Sequence, residues 1–392
     1  MNELQAIKIP QDNICKNENI ILSTFLFFSF IFDSGGGIGI RNIGFLIIAL
    51  IIFLDLLFYK NVQININFLL FYCGNLVFLS LSILAALNNN TTFFKANLFN
   101  FSLYCLFPFY ILAKNKYLTI EGYLKSIEIF CVVIVIFFFG RLLKIMPIVN
   151  VFNILTRNAS GHFQNLYFEN SSTVLPNVYF QGVLSIVPAA VIMITQKKYK
   201  SFFLAFIALC IAPSRFGVLV CAFFFLILHI RKLFIPILVG IVLVLLFLVF
   251  KIEIPVFIDF LNMFYRTSSG NVIRSGHLNS IISLLTENPS YLFIGQGPGS
   301  MFYTSGFHHY ADSVEISHFD FLRKYGILYF SVVNAAFIYL LYKLCKKKSL
   351  ISNQLVYGLL AHYIVSISNP VLLSLPFIMF TSICIVRSEI KN

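Results

Sequence analysis

The sequence predicts an all-α, polytopic membrane protein with about twelve transmembrane helices and two long loops outside the cytoplasm. Three observations predict it. Apolar residues make up 59% of the 392-residue chain and charged residues only 11%, whereas soluble domains average roughly 45–50% apolar. Apolar runs long enough to cross a bilayer, about 20 residues each, recur along the whole length. These runs are continuous and do not alternate, which argues for helices against a barrel.

In chain order the spans are expected at 19–33, 42–59, 66–87, 97–113, 126–143, 174–195, 201–213, 215–230, 233–250, 325–342, 350–367 and 371–386. The first, near Ile20–Phe32, lacks a small-residue cleavage site and reads as a retained span. The stretch 201–230 could be one long helix, but Ala212-Pro213-Ser214-Arg215 in its middle argues for a break, because proline breaks a helix and an arginine in mid-membrane is costly. The whole chain, 1–392, reads as one integral membrane domain. Its long loops lie at 144–173, with Arg157, His162 and Glu169, and at 251–324, with Arg266, Arg274 and His277. Loops of that length usually carry function, and the helical pattern and turn signals of the second predict a folded loop.

Charge sets the orientation. With the N-terminus in the cytoplasm, Lys60, Lys114, Lys116, Lys197, Lys198, Lys200, Lys343 and the run Lys346-Lys347-Lys348 fall on the inner side, and both ends face the cytoplasm. The net charge of +13 is then topological, and nucleic acid is not the expected partner; the lipid bilayer is. Basic residues left outside suit a polyanionic lipid substrate. Eight cysteines show no C-x-x-C pairing and most lie inside apolar runs, so they read as small buried hydrophobes.

Ionisable residues cluster in the second loop. Over Val272–Leu285, Ile273, Leu278, Ile281, Ile282, Leu284 and Leu285 share one helical face, and Arg274 and His277 fall inside it. A guanidinium there needs an anionic partner or must snorkel to lipid headgroups. Pro289 ends that helix. The turn Gly295-Gln296-Gly297-Pro298-Gly299 reads either as a concavity of backbone N–H groups that binds an anion or as a plain surface turn. It is not a nucleotide loop, because no Lys-Ser/Thr follows the glycines.

Beyond the turn, Glu315 and His318 lie three apart, on one helical face with Leu322 and Tyr325, and His318 beside a carboxylate suits a proton acceptor. Asp320 and Lys324, four apart, pair on the opposite face. Asp320, Arg323 and Lys324 read as solvated charges at a helix start, with substrate contact for Asp320 and Arg323 as the functional alternative. His308 and His309 have no further ligand at metal-binding spacing, so no metal is expected. Ser214-Arg215, at the outer end of two spans, is either a topological anchor or the lining of an interior cavity.

Three of these elements occur in the order seen in bacterial O-antigen polymerases and ligases. Pro213-Ser214-Arg215-Phe216-Gly217 resembles that family's Ser-Arg signature between two helices. Arg274, followed by an amphipathic stretch and Asn288-Pro289-x-x-Leu292-Phe293-Ile294-Gly295-Gln296-Gly297-Pro298-Gly299, resembles its outer-loop pattern. Glu315-x-x-His318-Phe319-Asp320-Phe321-x-x-x-x-Gly326-Ile327 is similar to the segment leading into the next span. The resemblance covers roughly residues 200–345 by motif and the rest by hydropathy. Ligases usually place His-Asn before that span; His318-Phe319 with Glu315 and Asp320 nearby looks more like a repeat-unit polymerase.

The resemblance implies a GT-C-like, metal-independent membrane glycosyltransferase without a cofactor, in the bacterial inner membrane. Its substrates would be undecaprenyl-diphosphate-linked oligosaccharides of O-antigen or capsule on the periplasmic face, and a chain-length-regulating co-polymerase is the implied partner. Arg215 and Arg274 would hold the leaving diphosphate. His318 or Glu315 would take the acceptor's proton, and Arg266, His277, Gly297, Gly299, Asp320 and Arg323 would contact substrate. The alternative within the family is a ligase that moves finished polymer to the lipid A core. A lipid-linked oligosaccharide flippase would instead show charges buried within spans and symmetry between halves; the charges here lie mainly in loops and at boundaries.

Overall fold

Helices dominate the structure, a computed structural model that describes residues 11–58, 64–157, 161–167, 174–212, 214–229, 268–367, 369 and 371–390. In order they are α1 (Gln11–Phe32), α2 (Ile40–Leu57), α3 (Ile66–Asn88), α4 (Phe93–Tyr104), α5 (Leu106–Lys114), α6 (Ile120–Leu142), α7 (Met146–Arg157), α8 (Ile186–Thr195) and α9 (Tyr199–Ile211). They continue with α10 (Arg215–His229), α11 (Ser268–Glu287), α12 (Pro289–Ile294), α13 (Ser317–Lys346), α14 (Leu350–Ser366) and α15 (Leu375–Glu389). Two antiparallel hairpins interrupt them: β1 (Gly161–Tyr167) with β2 (Val174–Phe180), and β3 (Phe302–Thr304) with β4 (His309–Ala311).

Among the described residues, five helical stretches are long and apolar enough to cross a membrane: Ile40–Leu57, Ile66–Asn88, Phe93–Lys114, Ile120–Leu142 and Ser317–Lys346. Large apolar side chains project from them uncovered, such as Leu46, Leu50, Phe53 and Leu57 on α2 and Leu70, Val77 and Leu84 on α3. Only a lipid solvent tolerates that much bare apolar surface. The chain is a multi-pass membrane protein.

Local chemistry explains where the helices begin. Asn65, Thr92, Thr119 and Ser349 precede α3, α4, α6 and α14, and each side chain accepts an N–H of the first turn. The buried carboxylate of Asp33 accepts the N–H groups of Ile38, Gly39 and Arg41 and thereby anchors the start of α2. Inside, Phe27, Phe30, Tyr123, Phe130 and Phe180 belong to one core shared by α1, α6 and β2.

Polar contacts gather at two ends of the bundle. At one end Asp55 accepts from Asn115 Nδ2 (2.7 Å) and Tyr117 Oη (3.0 Å), Glu389 accepts from Tyr110 Oη (2.8 Å) and Lys114 Nζ (3.1 Å), and Lys347 donates to Arg387 O. This is the end where the Lys-rich segments lie. At the other end Asn89 Nδ2 donates to Gln296 O (2.8 Å), Thr91 and Ser300 share a hydrogen bond of 3.0 Å, and Lys95 pairs with Asp312 (2.9 Å).

The second long loop is folded over its described part, as its pattern predicts. Ile281, Phe302, Val314 and Ile316 form a small separate core with Leu278, Leu284, Leu285 and Phe307 around it. The apolar face of α11 therefore covers the β3–β4 hairpin. Pro289 opens α12, which fits the missing N–H of proline at a first helical position.

Two expectations need correction. The segment 174–195 is not one helix. It begins as β2, turns through a 3-10 helix (Gln181–Ser185) and becomes α8 only at Ile186. Pairing with β1, in the register Gly161↔Phe180 to Tyr167↔Val174, satisfies the backbone of 174–180. The loop 144–173 likewise starts with a helix, α7. The expected span 233–250 and Arg266 lie outside the described residues. The break between 201–213 and 215–230 is present, as α9 and α10.

Candidate functional site

The site is built around a helix that breaks. At Gly326 (φ 73°, ψ 169°) α13 leaves helical geometry. The carbonyls of Arg323 and Lys324 then lack their partners one turn on, and two loop amides take their place: Gln296 N–H donates to Arg323 O (2.7 Å) and Gly297 N–H to Lys324 O (3.0 Å). The two strands of chain approach so closely that a Cβ on Gly295 would collide with Lys324 O, and one on Gly326 with Phe293 O. Both glycines have positive φ, which glycine adopts without steric cost.

This corrects the anion-concavity reading of the glycine turn. Residues 295–300 are all buried, and the amides of Gln296 and Gly297 are spent on protein carbonyls. Gly297 lies against Ala86 of α3, and Gly299 against Thr91, Lys95 and Phe99. The two glycines expected to contact substrate pack the turn onto α3 and α4.

Behind the turn lies a charged network without solvent access. Arg323 is completely buried and its guanidinium carbon Cζ sits 4.2 Å from the centre of the Phe302 ring. Its Nε donates to Asp320 Oδ1 (3.0 Å), Nη1 to Gln296 Oε1 (2.6 Å) and Ser300 O (3.1 Å), and Nη2 to Asp312 O (2.9 Å) and Asp320 Oδ1 (2.7 Å). A guanidinium has five N–H groups, and these five bonds use them all. Lys324 Nζ completes the network 2.5 Å from Asp320 Oδ2. The expected Asp320–Lys324 pair is present, but the solvated reading of Asp320, Arg323 and Lys324 is wrong. With no donor left on Arg323, neither it nor Asp320 is placed to contact substrate.

A second charged group stands open nearby. Glu315 precedes α13 instead of lying on it, and its Oε2 is 3.4 Å from Arg274 Nε, with the side chains 44% and 36% exposed. The contact is an ion pair without hydrogen-bond geometry, since Arg274 Nε has no hydrogen-bond partner. Arg215, the first residue of α10, lies within electrostatic range of Arg274, and the two like charges repel. Beside it the buried Ser214 hydroxyl has no partner. Tyr179 of β2 also feels Glu315: burial first, then that carboxylate, raises its phenol pKa.

His277 sits one turn beyond Arg274 on α11 and is completely buried. Its Nδ1 is 2.6 Å from Thr304 Oγ1, Phe307 meets the ring edge-on at 4.3 Å, and Nε2 has no partner. Burial lowers its pKa, opposed by the charges of Glu315 and Asp320. The hairpin thus closes His277 off from direct substrate contact in this state. His318 is separated from Glu315 as well. It lies on the first turn of α13 with Nε2 3.0 Å from Ser366 Oγ and its ring 4.6 Å from that of Tyr363, so it faces α14. The shared helical face expected for Glu315 and His318 does not form, because α13 starts only at Ser317.

Four parts of the chain therefore bring Tyr179, Arg215, Arg274 with His277, and Glu315 into one neighbourhood. Tyr179 escaped the sequence reading because it falls in an apolar run. The signal was Pro176-Asn177 inside that run, a pair that favours turns and strand edges over helix. No protein-family model, curated protein or solved structure matches the chain, so the reading of the site rests on its geometry and on its motifs.

Proposed function

We propose that the chain is a polysaccharide polymerase that joins undecaprenyl-diphosphate-linked oligosaccharide repeats of O-antigen or capsule. In this reading it is a GT-C-like glycosyltransferase of about twelve spans in the bacterial inner membrane. Both ends lie in the cytoplasm, the open charged cluster faces the periplasm, and a co-polymerase sets chain length.

One observation carries the reading: Arg274 of α11 has Glu315 as its carboxylate at 3.4 Å and the like charge of Arg215, at the start of α10, within electrostatic range. Two guanidinium groups held together against their own repulsion suit a dianionic ligand, and a diphosphate leaving group is one. Fixed cations aimed at the charge that develops as the glycosyl bond breaks are worth roughly 10²–10³-fold in rate. The acceptor hydroxyl needs a base, and Glu315 is the candidate that stands with the arginines. His318, turned toward Ser366, becomes a residue of the α13–α14 contact.

A transporter would need charge left free along its path. The Asp320–Arg323–Lys324 network is charge buried on a candidate span, α13, as a flippase would have. All five Arg323 donors are bonded internally, however, and Asp320 is held by Arg323 and Lys324, so that guanidinium has no donor left for a cargo. The test is polymerisation by the purified protein in liposomes with synthetic lipid-linked repeats. Wild type should build a ladder of lengths, and Arg215→Ala and Arg274→Ala should lose it while remaining folded. A wild-type protein that transfers nothing between such repeats, or arginine variants with an unchanged ladder, would overturn the reading.

A further inference from the structure

The Arg274–Glu315 contact has the wrong geometry for a permanent salt bridge. Its nitrogen and oxygen are 3.4 Å apart, Arg274 Nε has no hydrogen-bond partner, and both side chains are more than a third exposed. Arg323, eight residues after Glu315, shows what a permanent guanidinium site looks like here: full burial and five donors bonded. Arg274 also carries the repulsion of Arg215, which a single carboxylate does not cancel. The cluster therefore favours an incoming anion of higher charge than Glu315, and such an anion competes with Glu315 for the same guanidinium.

We propose that Glu315 is the general base of the transfer and that Arg274 holds it in reserve until a lipid diphosphate draws the guanidinium away. The proposal rests on the polymerase reading and adds a substrate-operated control to its site. Diphosphate binding between Arg215 and Arg274 breaks the Arg274–Glu315 contact. A carboxylate that loses a cation and gains an anionic neighbour accepts a proton more readily. The acceptor sugar's hydroxyl oxygen then attacks the anomeric carbon of the donor, its proton passes to a Glu315 carboxylate oxygen, and the bond from the anomeric carbon to the diphosphate oxygen breaks with its electron pair on the diphosphate. Without donor, the base stays paired with Arg274 and water is not activated, so lipid-linked chains are spared hydrolysis. Tyr179 of β2 and His277 of α11 lie within electrostatic range of Glu315.

Inorganic pyrophosphate is the probe, on the full chain in nanodiscs. Calorimetry should show Glu315→Gln binding pyrophosphate about tenfold more tightly than wild type, because the competitor is gone, and Arg274→Ala binding it at least tenfold more weakly. Difference infrared spectra of wild type should show a carboxylate band that shifts on pyrophosphate addition and is missing in Glu315→Gln. This second readout stands even where a variant folds poorly. Pyrophosphate binding that depends on both arginines but leaves the Glu315 band unmoved, or Glu315→Gln binding no tighter than wild type, overturns the gating and spares the diphosphate site. Pyrophosphate binding that ignores both arginines overturns the polymerase reading and this proposal together.

Discussion

Two guanidinium clusters stand close together in this protein and are built in opposite ways. Arg323 is sealed inside, with Asp320, Gln296, Ser300 and Asp312 taking every donor it has. Arg274 stands half-open, with one loosely placed carboxylate and a repelling neighbour. The first arrangement holds pieces of chain together: α13, the glycine turn and the β3–β4 hairpin all meet at one side chain. The second leaves charge uncompensated, which costs stability and is retained where a ligand supplies the missing counter-charge. Residue type alone says nothing of which is which; the count of satisfied donors does.

The sharpest way to break the comparison is to remove the sealed guanidinium. Arg323→Met leaves Gln296 Oε1 and the carbonyls of Ser300 and Asp312 without donors, and Asp320 with Lys324 alone. Breaking a buried ion pair from one side costs about 3–5 kcal/mol. The expected outcome is loss of folded protein from membranes, read by fluorescence-detected size exclusion of a tagged chain. Gly326→Ala should act through the same joint. Its methyl group meets Phe293 O, and a side chain is strained at φ 73°, so the turn must back away from α13. A fall in thermal stability of about 2 kcal/mol or more is expected for a strained backbone plus an overpacked contact. A variant that melts with wild type would show that the turn and α13 are not locked.

Much of this was legible beforehand, and for physical reasons. Continuous apolar runs mark helices because a lipid-facing backbone must bond within itself. The break at Ala212–Ser214, the start of α12 at Pro289 and the Asp320–Lys324 pair are local effects that span a few residues. Even an anionic partner for Arg274 was one of the two readings the sequence allowed, beside a guanidinium that snorkels to lipid headgroups. That the anion is Glu315, 41 positions on, depends on how α11 packs beside α13, and no local rule contains that. Burial of Arg323 escaped for the same reason: its contacts come from Phe302, the glycine turn and Asp312, none of them its helical neighbours. Tyr179 was hidden because strand pairing with 161–167 overrode an apolar run that reads as a span.

The open cluster should respond in the opposite sense. Arg274→Ala removes a contact between partly exposed groups, which is worth about 0–1 kcal/mol, so thermal stability should move little. Under the proposed polymerase function, polymer synthesis in liposomes should fall by roughly 10²–10³-fold, the size expected for removing one fixed cation from a transition state. Arg274→Lys keeps the charge and loses the fork, and should recover only part of the rate. If Arg274→Ala instead unfolds the protein as Arg323→Met does, the two clusters are the same kind of structural joint and the contrast fails.

The smallest effect sits between the clusters, at His277. Burial lowers its pKa from the ordinary value of 6.5, so the folded chain prefers the neutral ring and the unfolded chain takes up the proton first. Its contribution to stability is complete above about pH 6.5 and is lost as pH falls below that value, with a limiting slope of about 1.4 kcal/mol per pH unit for one proton. His277→Gln cannot bind that proton. Its melting temperature should sit below wild type near neutrality, where the hydrogen bond to Thr304 matters, and the gap should close as the pH is lowered toward 5. Melting curves of both proteins in detergent across that range measure the gap directly. A gap that widens on acidification would mean that the protonated ring is favoured in the fold. The carboxylate of Glu315 would then govern His277 more strongly than burial does, and the hairpin side of the open cluster would belong with the sealed one.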